Sequence, residues 1–231
     1  VGHPVVSEPV ASEAEIAAFR QETGLGTAPV MLVLPGSRRS EIERLAPTFG
    51  EALRPVAAAM PELRVVIPTL AHVAGTVSEA VKKWPGDPLV LDPRGASTEA
   101  FAAQKRAAFG AAHAALAASG TVSLELAAAS TPMVIAYDMT WLSWQIISRM
   151  VDLETVTLVN LIAESRTVPE FLGPDCKPEP ISKALIALLQ DPGQKALQRE
   201  AMATTMARLG QGGEAPGLRA ARAVLDGLGL D

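Results

Sequence analysis

The chain has 231 residues, of which 48% are hydrophobic and 19% are charged, and its formal net charge is −5 at pH 7. This balance is typical of a globular protein with a substantial core and excludes a disordered chain. The acidic charge and the lack of a Lys- or Arg-rich run argue against nucleic-acid binding, so any anion site has to be local.

Hydrophobic periodicity predicts helices and strands that alternate along the chain. Residues 1–11 are predicted to be an interdomain linker, and a helix follows over 12–22 with Ser12 as its N-cap. Strands are predicted at 30–34, 64–68, 88–92, 112–118, 132–137 and 155–159, with helices at 40–59, 97–111, 122–129 and 141–151. Pro47 and Pro55 are expected to kink or shorten the helix over 40–59. Helices at 181–190, 192–208 and 216–228 end the chain, with a Gly-rich break at 210–213.

Continuous apolar strands that alternate with helices predict an α/β protein: a single Rossmann-like, doubly wound parallel sheet with helices on both faces. We expect one domain over residues 1–231, with C-terminal helices in 192–231. In such sheets, ligands bind beyond the carboxyl ends of the strands, where the chain connections reverse direction.

The most informative segment is Leu-Pro-Gly-Ser-Arg-Arg-Ser-Glu at 34–41, which follows the first predicted strand. A strand, a turn at Gly36 and the start of a helix leave unpaired backbone N–H groups that suit a phosphate. Ser37 can donate a hydrogen bond, and Arg38 carries a planar charged fork that matches phosphate oxygens. The alternative is an ordinary turn with surface arginines.

A second polar segment, Ala-Ser-Gly-Thr-Val-Ser-Leu-Glu at 118–125, follows another predicted strand. Ser119 and Gly120 predict a tight turn, and Thr121 is predicted to cap the next helix. Glu125 lies one turn further on the same helix face, where its carboxylate can accept from two neighbouring ribose hydroxyls or make a capping contact. No dinucleotide-binding or Walker-type glycine motif is present, which argues against a dinucleotide cofactor and against ATP hydrolysis.

Several residues have two interpretations that the sequence leaves open. Asn160 ends a predicted strand, and its amide can satisfy backbone groups of a neighbouring loop or bind a sugar or base. Trp141 and Trp144 lie in a predicted helix that either packs in the core or contacts acyl chains or a membrane interface.

The metal-ligating residue types are sparse in this chain. The three histidines are scattered without ligand spacing, so no structural metal is predicted. The single cysteine, Cys176, excludes an internal disulfide and is expected to be a bystander rather than a nucleophile. No apolar run of 18 residues predicts a membrane span, and no signal peptide is expected.

Together these segments resemble the C-terminal, donor-binding half of lipid-A-disaccharide synthase, an inverting glycosyltransferase of family 19 with the two-domain GT-B fold. The resemblance extends from residue 1 to about residue 190. Asp138 departs from the family pattern, because a basic residue is expected after Tyr137. The matching segments are 1–4, 34–41, 118–125, 132–137, 159–162 and 168–172, followed by Cys176.

The resemblance implies transfer of 2,3-diacylglucosamine from its UDP conjugate to 2,3-diacylglucosamine 1-phosphate in lipid A and lipopolysaccharide biosynthesis, without a metal or other cofactor. The implied partners are the UDP-diacylglucosamine donor and the lipid acceptor. The implied substrate-binding residues are Gly36, Ser37 and Arg38 at the diphosphate, Ser119, Gly120 and Thr121 beside it, Glu125 at the ribose, and Asn160 near the donor sugar or base.

In this family the acceptor site and the catalytic base lie in an N-terminal domain, so the chain is expected to be a fragment that lacks that domain. The catalytic residue is therefore left unknown; Glu41 and Glu125 are candidates by default, although capping or ion-pair roles suit them better. We expect the isolated chain to bind UDP weakly and to turn nothing over.

Alternatives to this function are another GT-B relative, such as a UDP-N-acetylglucosamine 2-epimerase, and a non-catalytic nucleotide-binding module. The resemblance implies a cytoplasmic location, and a peripheral contact at the inner face of the inner membrane is left open. A homodimer is also left open.

Overall fold

The computed structural model describes residues 3–138, 155–214 and 216–228. The predicted helix at 141–151, with Trp141 and Trp144, lies outside the described residues. The described chain folds around a six-stranded sheet in which the paired strands are parallel, with the strand order β3-β2-β1-β4-β5-β6. The strands are β1 (Val30–Leu34), β2 (Arg64–Pro68), β3 (Leu89–Leu91), β4 (Ala114–Ala117), β5 (Met133–Tyr137) and β6 (Glu170–Leu172).

Helices connect successive strands or follow the sheet, and the described ones are numbered here in chain order. They are α1 (Glu13–Glu22), α2 (Arg39–Ala59), α3 (Ala74–Val81), α4 (Thr98–Ala111), α5 (Val122–Ala128), α6 (Leu158–Ala163), α7 (Pro178–Gln190), α8 (Pro192–Leu209) and α9 (Pro216–Leu228). Short 3-10 turns lie at Pro4–Ser7 and Gly173–Asp175.

The alternation of side chains along β1 explains why helices cover both faces of the sheet. Met31 and Val33 belong to a core cluster with α2, α3 and α7, whereas Val30 and Leu32 belong to a second cluster with α1, α4, α5 and α8. Because successive strand residues point to opposite faces, one apolar run fills both cores. The predicted doubly wound α/β class is therefore confirmed.

Helix α2 runs unbroken from Arg39 to Ala59 through both internal prolines, so the expected shortening is wrong. Each proline removes one backbone donor from the helix. The same helix buries a continuous apolar stripe that includes Ile42, Phe49 and Leu53 against the sheet. Tertiary packing of this stripe outweighs the local cost of the prolines.

The strand predicted at 155–159 is also wrong. Residues 155–157 are irregular, and α6 begins at Leu158. The backbone N–H groups of Val156 and Thr157 donate to the Glu170 carboxylate at 3.0 and 3.1 Å rather than to a strand. The sequence analysis missed the short strand β6, which carries Glu170 and pairs with β5, and also helix α3.

Candidate functional site

A cavity of about 390 Å³ lies beyond the carboxyl ends of β1, β2 and β4. It occupies the point at which the strand order reverses, because β1 pairs with β2 on one side and with β4 on the other. This is the place where doubly wound sheets bind ligands. The predicted site residues that line it are Gly36, Ser37, Arg38, Ser119, Gly120, Thr121 and Glu125.

The loop between β1 and α2 is folded around the carboxylate of Glu41. Glu41 Oε2 accepts hydrogen bonds from the backbone N–H groups of Ser37 at 3.0 Å and Arg38 at 3.2 Å. Gly36 has φ +124°, and a Cβ placed there would lie 2.7 Å from Glu41 Cβ. Only glycine fits this position, because it tolerates the backbone conformation and leaves room for Glu41.

Glu41 therefore has the capping role that the sequence favoured over catalysis. It also corrects one expectation: the N–H groups of Ser37 and Arg38 are not unpaired, because a carboxylate three to four residues further along the chain occupies them. The Arg38 guanidinium remains the group most available to an anion. It lies 3.0 Å from Glu41 Oε1, and its side chain is 76% exposed.

Tyr137 at the end of β5 supports this arrangement. Burial and the nearby Glu41 carboxylate raise the pKa of the Tyr137 phenol, so that the phenol stays uncharged beside Glu41. On the other side of the loop, His72 Nε2 lies 3.0 Å from the Ser37 carbonyl oxygen and ties the β2–α3 connection to the loop. No spacing in the sequence indicated this role for His72.

The loop between β4 and α5 forms the opposite wall of the cavity and is more open. Gly120 has φ +150°, and a Cβ placed there would meet no atom within 4 Å. The predicted cap by Thr121 is wrong: its side chain makes no capping hydrogen bond, and its backbone is already helical. The hydroxyl of Ser123 instead donates to the Gly120 carbonyl oxygen at 2.9 Å.

Glu125 forms an ion pair with Lys105, which lies on α4 and also lines the cavity. The two side chains are 32% and 35% exposed, respectively. The Glu125 carboxylate thus pairs with a lysine on a neighbouring helix and does not make the capping contact that the sequence allowed. The sequence analysis missed Lys105 because the pair joins residues 20 positions apart through packing of two helices.

Thr69, at the end of β2, is a second residue that the sequence analysis missed. It lines the cavity, and within the described part of the chain its buried hydroxyl has no hydrogen-bond partner. A polar atom left in this state is typical of a site completed by water or a ligand.

Residues 1–219 match a family model described as lipid-A-disaccharide synthetase. The chain belongs to the lipid-A-disaccharide synthetase family. This confirms the resemblance on which the site residues were assigned.

Two curated relatives extend the match. The chain is 60% identical over 228 residues to the lipid-A-disaccharide synthase of Ruegeria pomeroyi. The aligned residues cover 99% of this chain and 56% of that protein. It is 44% identical to the enzyme of the same name from Paramagnetospirillum magneticum, with 98% of this chain and 56% of that protein covered. The chain thus spans about half the length of the curated relatives it matches.

Solved structures share the fold at low sequence identity. WaaG, a glycosyltransferase involved in lipopolysaccharide biosynthesis, aligns with a TM-score of 0.57 at 14% identity, over 96% of this chain and 54% of that chain. The UDP-GlcNAc 2-epimerase from Neisseria meningitidis, bound to UDP-GlcNAc, aligns with a TM-score of 0.58 at 15% identity, over 94% and 49%. This likeness confirms the fold as one half of a GT-B architecture.

Asn160 is the predicted site residue that does not line the cavity. It lies in α6, not at a strand end, and is 2% exposed. Its amide nitrogen donates to the Val168 carbonyl oxygen at 2.9 Å and to Glu170 Oε1 at 2.8 Å, and its amide oxygen accepts from the Val168 N–H at 3.0 Å. The structure therefore shows that the Asn160 amide hydrogen-bonds backbone groups of a neighbouring loop, which is one of the two interpretations that the sequence left open.

Glu170 is the centre of this second polar cluster. Its carboxylate accepts hydrogen bonds from the Thr155 hydroxyl, from the Val156 and Thr157 N–H groups and from Asn160. Burial disfavours the charged form, but these donors outweigh burial and hold the pKa of Glu170 below its ordinary value. The cluster anchors the chain where it returns toward β6.

Cys176 has the chemistry of an inert thiol. Burial, with the charge of Asp138, raises the pKa of Cys176 to about 11, so the nucleophilic thiolate is scarce at neutral pH. Among the described residues, no group of three or more His, Cys, Asp or Glu side chains is arranged to hold a metal ion. Across the same parts of the chain, no helix is both long and apolar enough to cross a membrane.

Proposed function

We propose that this chain is the donor-binding half of a lipid-A-disaccharide synthase and that its cavity binds the UDP portion of UDP-2,3-diacylglucosamine. One observation carries the proposal: Arg38, the open loop at 119–121 and Glu125 line a single cavity at the switch point of a sheet in a chain of this family. Two fold neighbours support the ligand class: the UDP-GlcNAc 2-epimerase from Neisseria meningitidis was solved with UDP-GlcNAc, and Anabaena HepE was solved with UDP-glucose.

The diphosphate is assigned to the space between Arg38 and the loop at 119–121. Arg38 is the more exposed cation of the cavity lining, and Gly120 leaves open space beside the loop backbone. Departure of UDP develops negative charge on the diphosphate, so a positioned guanidinium there lowers the barrier to transfer. Glu41 orients that guanidinium through its 3.0 Å ion pair.

The ribose is assigned to Glu125. A carboxylate offers about four acceptor positions, so one ion pair with Lys105 leaves capacity for two hydroxyl donors. The lipid acceptor and the base that deprotonates its hydroxyl are assigned to the part of the relatives that this chain does not span. Glu41 and Glu125 are poor candidates for that base because each is engaged by a cation.

The alternatives make different demands on the same cavity. A UDP-N-acetylglucosamine 2-epimerase is favoured only by fold likeness at 15% and 17% identity, whereas the family match covers residues 1–219. A non-catalytic module would bind nucleotides without preference for uracil or for a diphosphate.

Titration of the purified chain with UDP, UMP and ADP, followed by NMR chemical shifts, separates these functions. We expect a preference for UDP that weakens in Arg38→Ala and is kept in Arg39→Ala. The second variant is a matched control, because Arg39 is 77% exposed, pairs with Glu43 and does not line the cavity. Equal affinity for the three nucleotides, or an unaffected Arg38→Ala variant, would contradict the proposal.

A glycosyl-transfer assay tests whether the catalytic base lies outside this chain. The purified chain, incubated with the UDP-diacylglucosamine donor and the lipid acceptor, is expected to release no disaccharide. Turnover above background would place the catalytic base within these 231 residues.

A further inference from the structure

The Lys105–Glu125 ion pair separates two cavities. Both residues line the donor cavity, and both also line a second cavity of about 360 Å³ between residues 8–11, α4 and α5. Much of the second cavity is apolar, with Val5, Phe109 and Ala128 in its walls. The pair is thus a partition with the proposed nucleotide site on one side and an apolar surface on the other.

The ammonium of Lys105 is held from two directions. It donates to Glu125 Oε2, and it lies 5.4 Å from the centroid of the Phe109 ring, which is buried. This cation–π attraction adds to the attraction of the ion pair. Most other ion pairs of the described chain are more exposed; Glu179 and Lys183, for example, are 78% and 74% exposed. Such exposed pairs contribute little, whereas a partly shielded pair is less screened by solvent.

We propose that Lys105 is a positioning residue for ribose recognition. It holds Glu125 in the conformation in which the remaining lone pairs of the carboxylate accept the 2′- and 3′-hydroxyls of the nucleotide. This deepens the proposed function and rests on it. Without Lys105, the Glu125 side chain rotates freely in the unliganded site, and ribose binding then carries the entropy cost of ordering it.

Binding measurements with UDP and 2′-deoxy-UDP isolate the hydroxyl contact. The parent chain is expected to favour UDP by ~10-fold or more, as for a hydrogen bond to a charged group. In Lys105→Met, which keeps most of the side-chain stem, this preference should fall by ~3–10-fold while the affinity for 2′-deoxy-UDP changes little. Lys105→Arg retains the cation and should restore most of the preference.

Two further variants serve as a positive and a negative control for the loss of ribose preference. Glu125→Gln is expected to lose most of the ribose preference, because the charged acceptor itself is gone. Lys183→Met removes an exposed lysine from an ion pair on α7 and should leave both affinities unchanged. Thermal unfolding of each variant verifies that it is folded, and Lys105→Gln replaces Lys105→Met if the latter does not fold.

The outcomes distinguish the possible failures. Equal weakening of UDP and 2′-deoxy-UDP in Lys105→Met would mean that Lys105 contacts the diphosphate, which overturns the positioning role and leaves the UDP site intact. An unchanged preference would also overturn it. A parent chain that does not bind UDP would overturn both the positioning role and the proposed function.

Discussion

The donor cavity and the Asn160–Glu170 cluster both gather polar side chains beside one sheet, but they use them differently. In the cluster, the Asn160 amide and the Glu170 carboxylate hydrogen-bond a hydroxyl and several backbone groups of the residues around them. In the cavity, the Arg38 guanidinium is largely exposed, and the Thr69 hydroxyl lacks a partner within the described chain.

The difference separates a structural polar cluster from a binding site. A buried group whose hydrogen bonds are satisfied internally stabilises the fold, and a ligand would have to break those bonds. A group held in position with spare capacity can bind without that loss. Mutations in the two regions should therefore act on different quantities, stability in the cluster and nucleotide affinity in the cavity.

The largest effect is expected for Asn160→Ala. Removing the amide leaves the backbone N–H and C=O of Val168 unpaired in a buried setting and takes one hydrogen-bond donor away from Glu170. The free energy of unfolding should fall by ~2–4 kcal/mol, as measured by urea denaturation, while the UDP affinity of the folded chain stays unchanged. Thr204→Ala, at a partly exposed position of α8, serves as the control. A selective loss of UDP affinity at unchanged stability would return Asn160 to the donor site.

Arg38→Ala should show the opposite pattern. Loss of a charge-assisted phosphate contact is expected to weaken UDP binding by ~1.5–3 kcal/mol. The unfolding free energy should change by less than ~1 kcal/mol, because the Arg38–Glu41 pair is exposed on the arginine side. If the variant instead lost stability and kept its UDP affinity, the division between the two regions would fail.

Gly36→Ala tests whether the loop around Glu41 preorganises the cavity. The positive φ and the close approach to Glu41 predict a loss of ~1–3 kcal/mol in unfolding free energy, together with weaker UDP binding. Gly120 also has a positive φ, but a Cβ added there would contact no neighbouring atom. The Gly120→Ala variant should therefore lose less stability than Gly36→Ala. Equal losses in these matched variants would show that the Glu41 contact contributes nothing.

The pH dependence of stability should come in part from Glu170. Its pKa is lower in the folded chain than in the unfolded chain, so its contribution is present above the ordinary Glu pKa and is lost as the pH falls through the folded value. The urea midpoint should therefore decrease on acidification below about pH 5, and less steeply in Glu170→Gln. An unchanged acid dependence in Glu170→Gln would contradict this assignment.

Much of the architecture could be predicted from local patterns, and the family resemblance implied seven of the fifteen described residues that line the cavity. Five of the strands were predicted close to their observed bounds, because buried parallel strands are continuous apolar runs. The family resemblance implied that the segments at 36–38 and 119–121 lie together, and the structure brings both to one cavity at the carboxyl ends of the strands. The failures lay at 155–172, where a half-buried carboxylate takes the place of regular backbone pairing, and at Asn160, whose apolar neighbours belong to a helix.

The amino-acid sequence by itself determined the α/β alternation through its periodicity, and short motifs with fixed spacing carried the family resemblance that implied seven of the residues lining the switch-point cavity. Only the tertiary structure decided how the charges are paired: Glu41 inside its own loop, Lys105 with Glu125, and Glu170 with the segment at 155–160. Pairs such as Lys105–Glu125 join different helices, and their partners are set by the packing of elements rather than by the neighbouring residues in the chain.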